Sequence, residues 1–202
     1  MRNVLLTGIG GQGTVLAAKL LAQAAQARGW QVRTAETIGM AQRGGSVVSH
    51  IRMGDGGEEV AAPLLNRGTA DLIVAFEPAE AARCLPYLAP GGTVVTATTA
   101  VQPITAALSG SGYSSQGALD GLRAALDGGS ARLVVVDDAA LVAAAGTRKA
   151  LNVMLLARAL DTGCLPLTLD DLRAAVRACV KPRFIDMNLA AIDAALAPAA
   201  GV

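Results

Sequence analysis

Cysteine is scarce in this chain: Cys84, Cys164 and Cys179 are the only three among 202 residues. They lie too far apart for a C-x-x-C ligand set. An iron–sulfur cluster wants four closely arranged thiolates, several in one short run, so the three read as buried thiols and no metal site is expected. Histidine is scarcer still. His50 stands alone, and its simplest reading is a strand residue hydrogen-bonded within the fold. Aromatic residues make up 2% of a chain that is 52% hydrophobic, so the core must be aliphatic, built from Ala, Val and Leu. An excess of charge is also missing: 17 basic residues meet 16 acidic ones, for a net charge of +1. Neither nucleic acid nor an anionic membrane surface is favoured by that balance. Between Cys84 and Leu119 no charged residue occurs at all. Pro86, Pro90, Gly91, Gly92 and Pro103 interrupt that stretch, which excludes a continuous spanning helix. Met1-Arg2-Asn3 lead into an apolar run without a signal-peptide core. The expectation is a soluble, cytoplasmic chain, residues 1–202 forming one domain without repeats or linkers.

What is present begins with a glycine loop. Asn3 to Thr7 is a short apolar run, and Thr14 to Arg28 has helical spacing of Ala and Leu. Gly8-Ile9-Gly10-Gly11-Gln12-Gly13 therefore forms a strand-to-helix turn in G-x-G-x-x-G spacing. Glycine lets the backbone turn tightly and bring its N–H groups close to a ligand, and the helix N-terminus that follows suits a phosphate. Glu36 ends a predicted second strand, Gln31 to Ala35, where a dinucleotide enzyme places its ribose-binding acid. The bland alternative is a turn whose glycines serve only helix–strand packing.

After Ile38 comes a second glycine-punctuated loop, Gly39-Met40-Ala41-Gln42-Arg43-Gly44-Gly45. Ser46 to Met53 then alternates as a strand. Val47, Ser49, Ile51 and Met53 share one face; Val48, His50 and Arg52 share the other. Arg43 beside two glycines presents a planar, permanently charged fork next to accessible backbone N–H groups, a plausible carboxylate or phosphate clamp. An ordinary surface arginine is the competing reading.

Together, Gly8–Gly13 and Gly39-Met40-Ala41-Gln42-Arg43-Gly44-Gly45-Ser46-Val47-Val48-Ser49-His50-Ile51-Arg52 resemble the gamma-type subunits of the 2-oxoacid:ferredoxin oxidoreductase family. The nearest pattern is that of the indolepyruvate-acting members. Ala70–Arg83, Leu85-Pro86-Tyr87-Leu88, Pro90–Val95, Asn152–Leu156 and Asn188–Ala191 continue the likeness, which spans nearly the whole chain. The glycine loop is weakly specific, whereas the Gln42-Arg43-Gly44-Gly45 block in this context is strongly so. Family members often carry an asparagine after the Val94-Val95 strand, where this chain has Thr96-Ala97-Thr98, and Gly-Asn where it has Gly146-Thr147.

The resemblance implies a subunit of a complex that oxidatively decarboxylates a 2-oxoacid to an acyl-CoA and reduces ferredoxin. Coenzyme A is then a co-substrate, and thiamine diphosphate and [4Fe-4S] clusters reside on a larger partner chain. Gly8, Gly10, Gly11, Gln12, Gly13, Gln42, Arg43, Gly44, Gly45 and Ser46 become the cofactor-binding candidates. They face coenzyme A or the thiamine-proximal surface, and no residue is assigned to proton transfer. Indolepyruvate fits best, with pyruvate, branched-chain 2-oxoacids and 2-oxoglutarate as related substrates. Two other readings are a free-standing NAD(P)-dependent dehydrogenase using Glu36, and a scaffold whose glycine loop is vestigial.

Alternating strands and helices imply a three-layer α/β/α fold with a mostly parallel, Rossmann-like sheet and a helical C-terminal third. In such sheets ligands lie beyond the carboxyl ends of strands, so loops 8–13 and 37–46 should meet there. Further elements are expected as follows: a strand pairing back through Val60 after the Asp55-Gly56-Gly57 turn, a strand over 71–76 and a helix over 78–88. Beyond these come a strand over 93–98, a mobile Ser/Gly loop over 104–117 partly covered by a partner, a helix over 119–126 and a strand over 132–136. A helix over 149–160 has apolar residues on most faces. Thr168-Leu169-Asp170-Asp171 resembles a capping box stapled by Leu167 and Leu172, and Pro182 precedes a last helix over 185–196.

Overall fold

The structure, a computed structural model, describes residues 1–39, 45–101 and 114–197. In chain order it comprises β1 (Arg2–Ile9), α1 (Thr14–Ala27), β2 (Gln31–Ile38), β3 (Ser46–Gly54), β4 (Ala70–Ala75), α2 (Pro78–Cys84), β5 (Leu88–Ala97) and α3 (Ser115–Leu126). It continues with β6 (Arg132–Val136), α4 (Asp138–Ala145), α5 (Leu151–Asp161), α6 (Leu169–Cys179) and α7 (Ile185–Leu196).

The six strands form one sheet in the order β2-β3-β1-β4-β5-β6. The β1–β4, β4–β5 and β5–β6 ladders are parallel. Only β3 runs the other way, antiparallel to both β1 and β2. The mostly parallel, three-layer expectation holds, with one reversal that strand alternation alone does not reveal. β2 and β3 pair antiparallel, and beyond the ladder the Gly39 N–H donates to the Ser46 carbonyl at 2.8 Å.

The core is aliphatic, as the composition demands. Val4, Leu6, Leu72, Val74 and Val95 meet α1 and the C-terminal helices on one face, and Leu5, Ile73 and Val94 meet α2 and α3 on the other. Nine of the eleven residues of α5 are buried. The reason is position: α5 touches β4 and β5 on one side and α4, α6 and α7 on the other. Its ring of apolar residues is thus satisfied all round. The capping box at α6 forms as expected. The Asp171 N–H donates to Thr168 Oγ1 at 3.2 Å, and the Thr168 N–H donates to Asp171 Oδ2 at 2.7 Å. Leu167 and Leu172 are both buried beside it.

Several local expectations change: the helix expected over 78–88 ends at Cys84, and the strand expected over 93–98 already begins at Leu88. Val60 belongs to no strand: its N–H donates to Gln31 Oε1 at 3.1 Å and its carbonyl accepts from Arg33 Nε at 3.3 Å. Side chains of β2 satisfy that backbone, so no ladder is needed there. Ser115 to Gly117 are not loop but the first turn of α3, capped by Ser114 Oγ, which accepts from the Gly117 N–H at 2.9 Å. The rest of the Ser/Gly stretch, 104–113, lies outside the described residues. Helix α4 has no counterpart among the sequence expectations. It is held by Asp137 as N-cap and by Gly146 at φ 67° as a left-handed C-cap. The cysteines are all free, with Cys84 buried and Cys164 and Cys179 half-buried. Among the described residues no helix is long and apolar enough to cross a membrane.

Candidate functional site

The two glycine-rich loops come together at the carboxyl edge of the sheet. Gly8 pairs with Val47 and Ile9 with Ser46 in the β1–β3 ladder, and beyond it the Gly10 N–H donates to the Gly45 carbonyl at 2.9 Å. This edge is also where the strand order reverses direction. β1 connects through α1 toward β2 and β3, whereas β4 connects through α2 toward β5. The crevice at such a switch point is the usual ligand site of open α/β sheets.

Each candidate can now be placed. The side chain of Gln12 folds back into the protein: its Oε1 accepts the Ile9 N–H at 2.7 Å, and its Nε2 donates to the Phe76 carbonyl at 3.3 Å. Gln12 therefore staples the loop to the end of β4. Gly8 makes room for that fold, since a Cβ there would stand 2.6 Å from Gln12 Oε1 and 3.0 Å from the Phe76 ring. Ser46 points to the α2 side, where its hydroxyl donates to the buried carboxylate of Glu80, itself paired with Arg83. Gln12 and Ser46 thus use these polar atoms within the protein, and Gly8 leaves the space that Gln12 and Phe76 fill. Gln42, Arg43 and Gly44 lie outside the described residues.

Four backbone donors were expected from Gly10 to Gly13, and the structure spends two of them. The Gly10 N–H goes to Gly45 and the Gln12 N–H to the Ile9 carbonyl at 3.1 Å. Among the described residues no hydrogen bond uses the N–H of Gly11 or Gly13. Gly11 has φ +99°, and a Cβ on it would meet nothing within 4 Å. Gly13 has φ +83° and is the N-cap of α1, with no side chain capping the helix. The first-turn N–H groups of α1 therefore have no side-chain cap. Ile9, Gly10, Gly11, Gly13, Thr14, Val15 and Val47 line a cleft of about 260 Å³ at this point. Thr14 is 3% exposed, and its Oγ1 is buried without a hydrogen-bond partner. An unspent hydroxyl beside an uncapped helix start has the donor chemistry of a phosphate cradle. A larger cleft of about 390 Å³ opens at the amino ends of the strands, lined by Arg2, Asp71, Gly92, Arg132 and Cys164. It is remote from both loops, on the edge that α/β sheets seldom use.

Sequence reading missed the parts that only tertiary structure brings close. Asn152, in the first turn of α5, donates from Nδ2 to the Gly13 carbonyl at 3.2 Å, joining the starts of α1 and α5. Glu77, 1% exposed at the end of β4, caps α2 by accepting the Glu80 N–H at 2.9 Å. The signal for it was local, an acid directly before Pro78. Asp138 is fully buried beyond β6 and accepts the N–H groups of Thr98 and Thr99 at 3.1 and 2.8 Å and the Thr98 hydroxyl at 3.0 Å. It also pairs with Arg148 at 3.0 Å.

Glu36 does not occupy a ribose-binding position. It is exposed on the edge strand β2, opposite Ser49, with β3 between it and β1. Two ladder spacings, roughly 10 Å, separate it from the glycine loop's strand, where a dinucleotide fold allows one. Titration of the chain with NADH is accordingly expected to be flat before and after Glu36→Ala. Saturable binding abolished by that substitution would restore the dehydrogenase reading.

Among the described residues no group of three or more His, Cys, Asp or Glu is placed to hold a metal ion. The comparisons with known proteins agree with one another. The profile of the family described as pyruvate ferredoxin/flavodoxin oxidoreductase matches residues 3–197. The indolepyruvate oxidoreductase subunit IorB of Thermococcus kodakarensis is 34% identical over 194 residues, covering 95% of this chain and 92% of that protein. Its namesake in Methanothermobacter thermautotrophicus is 35% identical, covering 94% and 93%. In fold, the chain resembles the keto/oxoacid ferredoxin oxidoreductase gamma subunit of Geobacter sulfurreducens, with a TM-score of 0.67 at 19% identity and 96% of each chain covered. It also resembles part of the 2-oxoglutarate:ferredoxin oxidoreductase of Magnetococcus marinus, with a TM-score of 0.70 at 15% identity, covering 96% of this chain and 30% of that one. The chain belongs to the pyruvate ferredoxin/flavodoxin oxidoreductase family.

Proposed function

We propose that this chain is the small subunit of a complex that converts an aryl 2-oxoacid, indolepyruvate first, into the acyl-CoA and carbon dioxide, passing two electrons to ferredoxin. The observation that carries the reading is the Gly10–Gly45 hydrogen bond, which joins the two loops at the switch point, in a chain about one third identical to indolepyruvate oxidoreductase subunits over nearly its full length. In this reading the larger partner subunit holds thiamine diphosphate and the [4Fe-4S] clusters and is the contact for ferredoxin. Thiamine diphosphate supplies the carbanion stabilisation there.

This chain's contribution is to bind and orient coenzyme A. The N–H groups of Gly11, Gly13 and the first turn of α1 receive a phosphate oxygen, with Thr14 Oγ1 as a further donor. Ile9, Val15 and Val47 form the apolar wall along which the uncharged arm of the ligand lies. Arg43, whose position lies outside the described residues, is the candidate to neutralise the anion. No group in the cleft is assigned a proton transfer, so the effect on rate comes through positioning.

The test is co-production with the partner subunit and assay of indolepyruvate- and coenzyme A-dependent reduction of ferredoxin or a viologen dye. Activity is expected only from the two chains together. Gly11→Val places a branched side chain in the open cleft at a positive φ, and is expected to raise the coenzyme A KM at least about tenfold while leaving the 2-oxoacid KM near its original value. Unchanged coenzyme A kinetics in Gly11→Val would favour the scaffold reading.

A further inference from the structure

Helix α2 starts at the sheet edge where the two glycine loops meet, and residues at its start hold both of them. Phe76, directly before the N-cap Glu77, accepts Gln12 Nε2 on its carbonyl at 3.3 Å, and its N–H donates to the Thr7 carbonyl at 2.8 Å. That fixes the first loop. One turn further on, Glu80 is 4% exposed, a depth that a carboxylate reaches only when it is paired. One of its oxygens accepts Arg83 Nη1 at 2.6 Å and the other accepts Ser46 Oγ at 2.5 Å. Arg83 belongs to the same helix and its side chain is 62% exposed, so water screens that pair. Among the described residues, Ser46 is the one side chain outside α2 that hydrogen-bonds this carboxylate. Ser46 opens β3 and is tied in further directions. Its carbonyl takes the Gly39 N–H at 2.8 Å, and the carbonyl of Gly45, immediately before it, takes the Gly10 N–H at 2.9 Å.

We infer that Glu80 is a positioning residue of the coenzyme A site: through Ser46 it holds the Gly45 carbonyl at the Gly10 N–H, and so keeps the glycine loop in its binding arrangement. The inference rests on the coenzyme A reading above and adds to it the group that fixes one loop against the other. Glu80 does not line the cleft, so its effect passes through Ser46. A carboxylate serving α2 alone would meet Arg83 in solvent. Here it is buried, which costs free energy that an apolar residue at this position would avoid. The bond from the Ser46 hydroxyl offsets that cost because it is charge-assisted and stronger than one between neutral groups. With Gln12 tied to Phe76 and Ser46 tied to Glu80, both loops are anchored to one end of α2. A loop released from that anchor presents its donors correctly for only part of the time, and apparent affinity falls by that fraction.

The experiment uses the reconstituted two-subunit complex. It measures coenzyme A and 2-oxoacid kinetics, and ligand-free hydrogen–deuterium exchange over residues 8–13, for Ser46→Ala, Glu80→Ala, Glu80→Gln, Arg83→Ala and Gly11→Val. Ser46→Ala and Glu80→Ala are each expected to raise the coenzyme A KM by about five- to tenfold, with the 2-oxoacid KM within about twofold, and to speed exchange in the loop. Because both break one link, the double variant should be no worse than the more affected single one. Glu80→Gln keeps an acceptor for the Ser46 hydroxyl and is expected to bring the coenzyme A KM back to within about twofold of the parent. Arg83→Ala removes the exposed pair without cutting the tie to the loop, and should leave both readouts near the parent values. If Glu80→Ala fails to assemble, the contrast between Ser46→Ala and Glu80→Gln decides. The inference is overturned if Gly11→Val raises the coenzyme A KM and Ser46→Ala does not, if both substrates' KM values rise together, or if Arg83→Ala matches Ser46→Ala. Unchanged coenzyme A kinetics in Gly11→Val would instead remove the coenzyme A reading, and this inference with it.

Discussion

Replacing Gly13 with alanine is expected to destabilise the chain by about 2–5 kcal/mol, measured by equilibrium denaturation. Two costs add. Gly13 sits at φ +83°, and an L-residue forced into that region loses about 1–2 kcal/mol. The new Cβ would also stand 2.7 Å from Asn152 Nδ2, so a 4%-exposed side chain must move, with an overpacking cost of about 1–3 kcal/mol. Gly11 is the control. Its φ is +99°, yet its Cβ would point into open space, leaving the backbone term of about 1–2 kcal/mol alone. Adding Asn152→Ala to Gly13→Ala should recover the packing part while sacrificing the Asn152–Gly13 hydrogen bond. Equal effects at the two glycines would mean that the α1–α5 junction is looser than its geometry indicates.

Asp138→Ala is the second large loss expected, about 2–4 kcal/mol. The carboxylate is fully buried, and two backbone N–H groups, a hydroxyl and a guanidinium all depend on it. Arg148 is half-exposed, so water screens the ion pair, and the unsatisfied N–H groups of Thr98 and Thr99 account for most of the cost. The pH dependence follows from the same contacts. Burial pushes this carboxyl up, but the hydrogen bonds from Thr99 and Thr98 and the charge of Arg148 outweigh burial and hold it below the ordinary value of 3.8. A depressed folded-state pKa contributes stability that is complete above the unfolded-state value and is lost as pH falls through the folded one. Urea unfolding of the parent chain should therefore weaken on acidification below about pH 4. Asp138→Asn, nearly isosteric, should lack that component while keeping part of the Thr98–Thr99 contact. An acid limb of the same depth in both would assign the acid loss to other carboxylates.

How much of this was legible beforehand depended on whether a feature is local. Hydrophobic runs located β1, β4, β5 and β6 because buried parallel strands are continuous in apolar residues. Short-range hydrogen bonding located the Thr168–Asp171 capping box, where every partner lies within three residues. Direction was not legible: Ser46–Met53 alternates identically whether it runs with or against its neighbours, so the reversal of β3 and the displacement of Glu36 emerged only from the ladder. Helix α4 carried no signal because eight residues, five of them Ala, have little amphipathic contrast. At the site, the glycines were recognisable from spacing, but the inward turn of Gln12, the Ser46–Glu80 contact and the approach of Asn152 from 139 residues downstream carry no periodic signature.

The burial of α5 also bears on how the chain is made. Segment 151–161 fills the middle of the molecule although it belongs to the last quarter of the sequence. A nascent polypeptide leaving the ribosome therefore displays Leu72, Val74 and Val95, on the strands that α5 touches, without that cover until the segment emerges. Chaperone occupancy should persist on translation intermediates ending before residue 150 and fall once residues beyond 160 clear the exit tunnel.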